Sequence, residues 1–226
     1  MFREVIQRHD KVLIIGGGES LIGFDWSLLN KWNGVIVTVN NVIKHIPRAD
    51  YWITVDPTKG GVVQDNMSNR KEGCYYFACY PQITDENREW YPTEEGIHYL
   101  ERIVPEKPEE GIGDFSLQED RDKITTGDSC YGALGLAYHF EAKLIVMLGV
   151  DANGGYGHWY DTSDPYNKDW KGKFAKYQEN IPKIYRQSVE QFKKRGTVVI
   201  NGSPLSSIDC FDKMTPEEAI QYGITR

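Results

Sequence analysis

Six short β-branched or aromatic runs alternate with helix-compatible segments along this chain, and that alternation restricts the fold more than any other feature. The runs cover Lys11–Ile15, 34–39, 51–55, 75–79, Leu144–Leu148 and 197–200, each bounded by Gly, Asn or Asp, as buried strands are. Helix-compatible stretches lie at 20–29, 128–140 and 174–195, the last ending at Gly196 after Lys193-Lys194-Arg195, which is the signature of a helix C-terminus. The expected fold is α/β, a doubly wound, mostly parallel sheet with helices on both faces, Rossmann-like. No repeat or low-complexity tract interrupts it, and the linker-like stretch 105–113 does not divide it. Residues 1–226 are therefore expected to form one α/β domain, a length that suits a single core.

Several function classes are excluded early. The longest apolar runs fall far short of the roughly 20 residues of a membrane-spanning helix, and the first eleven residues lack the apolar centre of a secretory signal. A cytoplasmic location is the expectation. Cys74, Cys79, Cys130 and Cys210 match no zinc-site spacing, so free, mostly buried thiols are expected. The net charge of −7 argues against nonspecific coating of nucleic acid, yet it hides a polarity. Residues 85–122 carry thirteen acidic and four basic side chains, whereas 167–195 carry nine basic and three acidic. Either stretch reads first as a solvated face.

In an open parallel sheet the ligand crevice lies beyond the carboxyl ends of the strands, so the residues just after each run are the informative ones. Gly16-Gly17-Gly18-Glu19-Ser20-Leu21 follows the first, a glycine turn that lets backbone amides approach a phosphate or ribose. Its spacing departs from G-x-G-x-x-G and no lone acidic residue ends the second run, which disfavours NAD. Asn40-Asn41 and Asp56-Pro57-Thr58 end the second and third runs; Thr125-Thr126-Gly127-Asp128 precedes a small-residue helix; Val150-Asp151-Ala152-Asn153-Gly154-Gly155 follows the most apolar run. Each alone can be a turn or a cap. Together they favour a ligand crevice. His158, flanked by Tyr156, Trp159 and Tyr160, has the pKa class for proton transfer near neutrality. The chain has no Gly-x-Ser-x-Gly elbow, no Walker lysine and no His-Glu-x-x-His, which counts against a hydrolase, a P-loop kinase and a zinc protease.

The order of 15–21, Asn40-Asn41, Asp56-Pro57, Ile124-Thr125-Thr126-Gly127, Leu148-Gly149-Val150-Asp151 and Asn201-Gly202-Ser203-Pro204-Leu205-Ser206 resembles the bacterial sialyltransferase-like glycosyltransferases and the related motility-accessory-factor proteins. The ending 201–211 is similar to that of a set of phage and bacterial proteins of the same superfamily. The resemblance implies a GT-A-like variant of the Rossmann-like sheet and a sugar transferred from a CMP- or UDP-linked donor to a hydroxyl acceptor. By the same resemblance Gly16, Gly17, Gly18, Ser20, Asn40, Asn41, Asp56, Thr125, Thr126 and Gly127 would hold the nucleotide, Asp151 matches the aspartate of the family's Gly-x-Asp motif, and His158 would be the base, with Asp151 expected to orient either the donor or the base. Gly17 stands where the family carries asparagine. Two further readings remain, diphosphate transfer to a small hydroxymethyl compound, as in a similar archaeal pterin diphosphokinase, and a nucleotide-binding module without catalysis.

Such a transfer needs a base and a way to stabilise the leaving phosphate. Mg²⁺ or Mn²⁺ on Asp151, Asp56 or Asp161 is ranked second. Lys171, Lys173 and Lys176, interleaved with Trp170, Phe174 and Tyr177, together with Trp159 and Tyr160, are the candidate acceptor contacts, and would suit a polyanion such as hydroxymethylated DNA or an anionic glycan. The plainer account of the lysines is an amphipathic helix with its charged face in water.

Overall fold

The residues of β1 (Lys11–Ile15) from Val12 onward and all but the first of β7 (Leu144–Leu148) have no solvent exposure at all, because each strand is covered on both faces and flanked on both edges. The computed structural model describes residues 5–57, 61–81, 89, 91, 94–106, 113–152, 158–160 and 168–226, without the side chains of 168–178. Among these, nine strands form one sheet. β2 (Val35–Val39), β3 (Tyr51–Thr54), β4 (Tyr75–Tyr80), β5 (Ile97–Ile103) and β6 (Lys123–Thr125) extend it on one side of β1, and β7, β8 (Val198–Asn201) and β9 (Asp212–Lys213) extend it on the other. The order is β6-β5-β4-β3-β2-β1-β7-β8-β9, and every pair is parallel. The direction of travel reverses between β1 and β7. That boundary is the topological switch point of a doubly wound Rossmann-like sheet.

Parallel crossovers are right-handed, so the connections from β1 to β6 fall on one face and those around β7 and β8 on the other. On the second face lie α2 (Ser129–His139) and α3 (Lys168–Arg195), joined by Tyr131 against Tyr185 and Tyr138 against Phe192, at ring separations of 5.1 and 5.7 Å. On the first face the short α1 (Val62–Met67) follows β3, and α4 (Pro216–Thr225) packs its Gly223 on Trp32. A Cβ on Gly223 would stand 2.2 Å from that indole, so only glycine permits the contact.

All six expected runs form strands within a residue of each end, and the first and the Leu144–Leu148 run match in full. The expected helix over 20–29 does not form. Two 3-10 segments, Glu19–Leu21 and Trp26–Lys31, replace it. Gly23 at φ +80° breaks the path between them, and the Asp25 side chain accepts from Ser27 N–H to start the second. The expected helix over 174–195 begins earlier, at Lys168. β5, β6, β9, α1 and α4 were not foreseen. A capping-box signature, Thr215-Pro216-Glu217-Glu218, announces α4, and both of its reciprocal hydrogen bonds form. Cys79 is buried and the other three thiols are half-buried; all four are free. No helix among the described residues is long and apolar enough to cross a membrane.

Candidate functional site

Beyond the switch point the loop after β1 and the loop after β7 are bound directly to each other. Gly16 N–H donates to Leu148 O at 2.8 Å, and Gly18 N–H to Gly149 O at 2.9 Å. A Cβ on Gly16 would lie 2.4 Å from Gly149 O and 2.9 Å from Cys130 Sγ. The absence of side chains here serves packing between two backbones. Gly17 N–H, by contrast, donates to no described residue.

Asp151 closes this junction from the far side. Its carboxylate is buried and accepts from Ser20 N–H (2.9 Å), Ser20 Oγ (2.6 Å) and Ser203 Oγ (2.6 Å). One carboxylate thus ties the ends of β1, β7 and β8 together. Ser203 was part of the tail motif in the sequence, but its link to Asp151 depends on β8 lying beside β7.

His158 sits on the glycine loop. Its Nδ1–H donates to Gly17 O at 3.3 Å, Trp159 N–H donates to the same oxygen at 3.0 Å, and a Cβ on Gly17 would be 2.5 Å from the imidazole. A carbonyl can only accept, so Nδ1 carries the proton of the neutral ring and Nε2 the basic lone pair. The ring stacks on Tyr160 at 4.9 Å, and Tyr160 stacks on His45 at 4.3 Å. Trp159 donates through Nε1 to Gly16 O at 3.2 Å and lies 4.4 Å from Trp26. Both aromatics expected to touch an acceptor therefore brace the histidine and the glycine loop.

The floor of the crevice comes from β2, β3 and the start of α2. Asn40 adopts φ +48°, a left-handed conformation that Asn tolerates better than most residues. Its amide donates to Ser129 Oγ at 3.1 Å and accepts from Thr54 Oγ1 at 2.8 Å. Asn41 accepts from the buried Asn66 at 2.9 Å. Asp128 caps α2 by accepting from Tyr131 N–H and also accepts from Tyr185 OH; burial holds its carboxyl above the ordinary range. Burial, with the charges of Asp128 and Asp151, pushes the Cys130 thiol well up, which makes it a poor nucleophile.

The Thr-Thr-Gly turn points in three directions. Thr125 Oγ1 donates to Ser116 O and accepts from Gln118, Thr126 Oγ1 accepts from Arg102 Nε at 2.9 Å, and Gly127 has Ile184 where a Cβ would go. Asp56 is exposed, 3.9 Å from Arg102 Nη1. Arg102 itself was not singled out, because β5 was not recognised and the arginine read as one charge in an acidic stretch. The lysines at 171, 173 and 176 lie in α3 with their side chains outside the described residues, as do Thr58, 153–157 and Asp161. Among the described residues no three His, Cys, Asp or Glu side chains cluster to hold a metal. The Asp-x-Asp triplet Asp120-Arg121-Asp122 precedes β6, at the edge of the sheet opposite the crevice.

No family model matches the chain, and no curated protein matches it. One solved structure similar to it is the sialyltransferase CstII from Campylobacter jejuni, analysed in complex with a substrate analogue, cytidine-5'-monophosphate. Identity is 14% over 93% of this chain and 86% of that one, with a TM-score of 0.47.

Proposed function

We propose that the protein is a glycosyltransferase that binds a nucleotide-sugar over the glycine loop and moves its sugar to a hydroxyl acceptor. The observation that carries this reading is the placement of His158 on Gly17 at the switch point, with its tautomer set by the Gly17 carbonyl. A base with its lone pair on Nε2 is suited to take the proton of an attacking hydroxyl. The Gly17 N–H next to it is a backbone donor able to meet an oxygen of the donor substrate. Asp151 acts as a positioning residue, holding Ser20 and therefore the loop that carries both groups. The order of strand-end motifs, which resembles the sialyltransferase-like enzymes, supports the same class of donor. Asp56 and Asp151 are engaged by Arg102 and by two serines respectively, and no step is routed through a metal.

The test is a panel of CMP- and UDP-sugars, ATP and NAD, read by thermal shift and by release of free nucleotide. Stabilisation and slow nucleotide release with one sugar donor support the reading. Response to ATP or NAD alone overturns it.

A further inference from the structure

Arg102 leaves the end of β5 and reaches across β4. Its Nη1 donates to Val55 O at 2.7 Å and its Nε to Thr126 Oγ1 at 2.9 Å, so the guanidinium is fixed to the ends of β3 and β6 by neutral acceptors. Its one carboxylate neighbour among the described residues, Asp56, is 3.9 Å away and about three-fifths exposed, against a quarter for Arg102. Nη2 has no hydrogen-bond partner among the described residues. A guanidinium held rigid on two sides, with one edge open and only a loose, solvated counter-ion, is organised for a ligand oxyanion. Its orientation costs little to fix on binding, because it is already fixed.

We propose that Arg102, with Thr126 and Asp56 as its setting, forms a second subsite in the crevice that takes a carboxylate or phosphate group of the acceptor. Val55 follows β3 and Gly16 follows β1, two strands away, hence about 10 Å at the usual strand spacing. That separation leaves the glycine loop to the donor and puts the anionic group of the second substrate at the other end of the crevice. Asp56, 3.9 Å from Nη1, offers a rival negative charge beside the open edge and so opposes the binding of an anion there. The subsite deepens the glycosyltransferase reading, since it supplies the acceptor class, but its binding chemistry can be read without turnover.

The experiment titrates the intact protein with inorganic phosphate and, separately, with acetate, at ionic strength held constant with sodium chloride. Binding is followed by the NMR shifts of the Thr126 and Gly127 backbone amides, which lie beside the guanidinium and are kept in every variant. The expected result is saturable binding of at least one anion, and the stronger of the two names the acceptor group. Arg102→Gln should weaken binding at least about tenfold, as loss of a charge-assisted pair does. Asp56→Asn should tighten it by about two- to fivefold, the worth of an exposed ion pair. A merely structural arginine predicts no tightening in Asp56→Asn, and that result, or equal binding by the Arg102 variant, overturns the subsite. Gly17→Val separates the two readings: it should remove the nucleotide-sugar response and keep the phosphate response. If no nucleotide-sugar binds while anion binding still tracks Arg102 and Asp56, the glycosyltransferase reading falls and the anion site stands.

Discussion

The carboxylate of Asp151 accepts hydrogen bonds from both the backbone N–H and the hydroxyl of Ser20, at 2.9 and 2.6 Å, across 131 residues of sequence. With Ser203 as its third donor, it is a structural knot beneath the glycine loop. Asp151→Ala strands buried donors and should destabilise the fold by about 2–5 kcal/mol, whereas Asp151→Asn keeps an acceptor and should cost less. Urea unfolding of both variants checks this, and an unaltered midpoint in Asp151→Ala would show that the three bonds contribute nothing.

Gly17 is the position of the loop where an added side chain would meet His158. A Val side chain there meets the His158 ring, with the first carbon already 2.5 Å from Nδ1. Because His158 is only partly buried, the ring should yield while the sheet stays intact. Nucleotide-induced stabilisation should disappear with an unchanged circular dichroism spectrum. Persistence of that stabilisation would make the glycine loop a turn and nothing more.

His158→Ala should lower kcat by roughly 10²–10⁴-fold, the usual contribution of a general base, with little change in nucleotide affinity. Steady-state turnover and nucleotide titration on the same preparation separate the two effects. Equal turnover in the variant would leave the histidine as a brace for the aromatic stack with Tyr160 and His45.

His139 provides a pH test of stability away from the crevice. It is buried in α2, donates from Nε2 to Lys123 O at 2.9 Å, and burial lowers its pKa from 6.5. The folded state therefore prefers the neutral ring. Its contribution is complete above the unfolded pKa and is lost as pH falls through the lowered folded pKa. His139→Gln should flatten the fall in melting temperature below about pH 6.5, and parallel melting curves for both proteins would refute the assignment.

The basic half of α3 makes a claim about acceptor size. If Lys171, Lys173 and Lys176 contact a polyanion, acceptor affinity falls steeply with salt and the slope shrinks when all three become Gln. A small acceptor held at Arg102 alone gives a shallow slope that the triple variant leaves untouched. Affinity at two salt concentrations for both proteins decides between them.

Much of the frame was legible in the chain. Strands such as Lys11–Ile15 and Leu144–Leu148 are continuous apolar runs because a parallel strand is buried on both faces, and that signal is local. Asp128 before Ser129 and Gly196 after Arg195 marked helix ends for equally local reasons. β5 was hidden because it lies toward the sheet edge, where Glu101 is exposed and Arg102 and Ile103 only half-buried. The 3-10 segments after the glycine loop were misread because an apolar pattern with one glycine fits a helix until the backbone at Gly23 turns left-handed.

The sequence by itself determined that the chain builds a parallel α/β sheet and which strand ends carry Gly, Asn, Thr and Asp, since burial pattern and turn chemistry act over a few residues. Only the tertiary structure decided which of those ends meet. The reversal between β1 and β7 puts Asp151 under Ser20 and His158 on Gly17, and the run from β3 to β6 puts Arg102 between Val55 and Thr126. Strand order is a property of packing across the whole sheet, so no single motif encodes it.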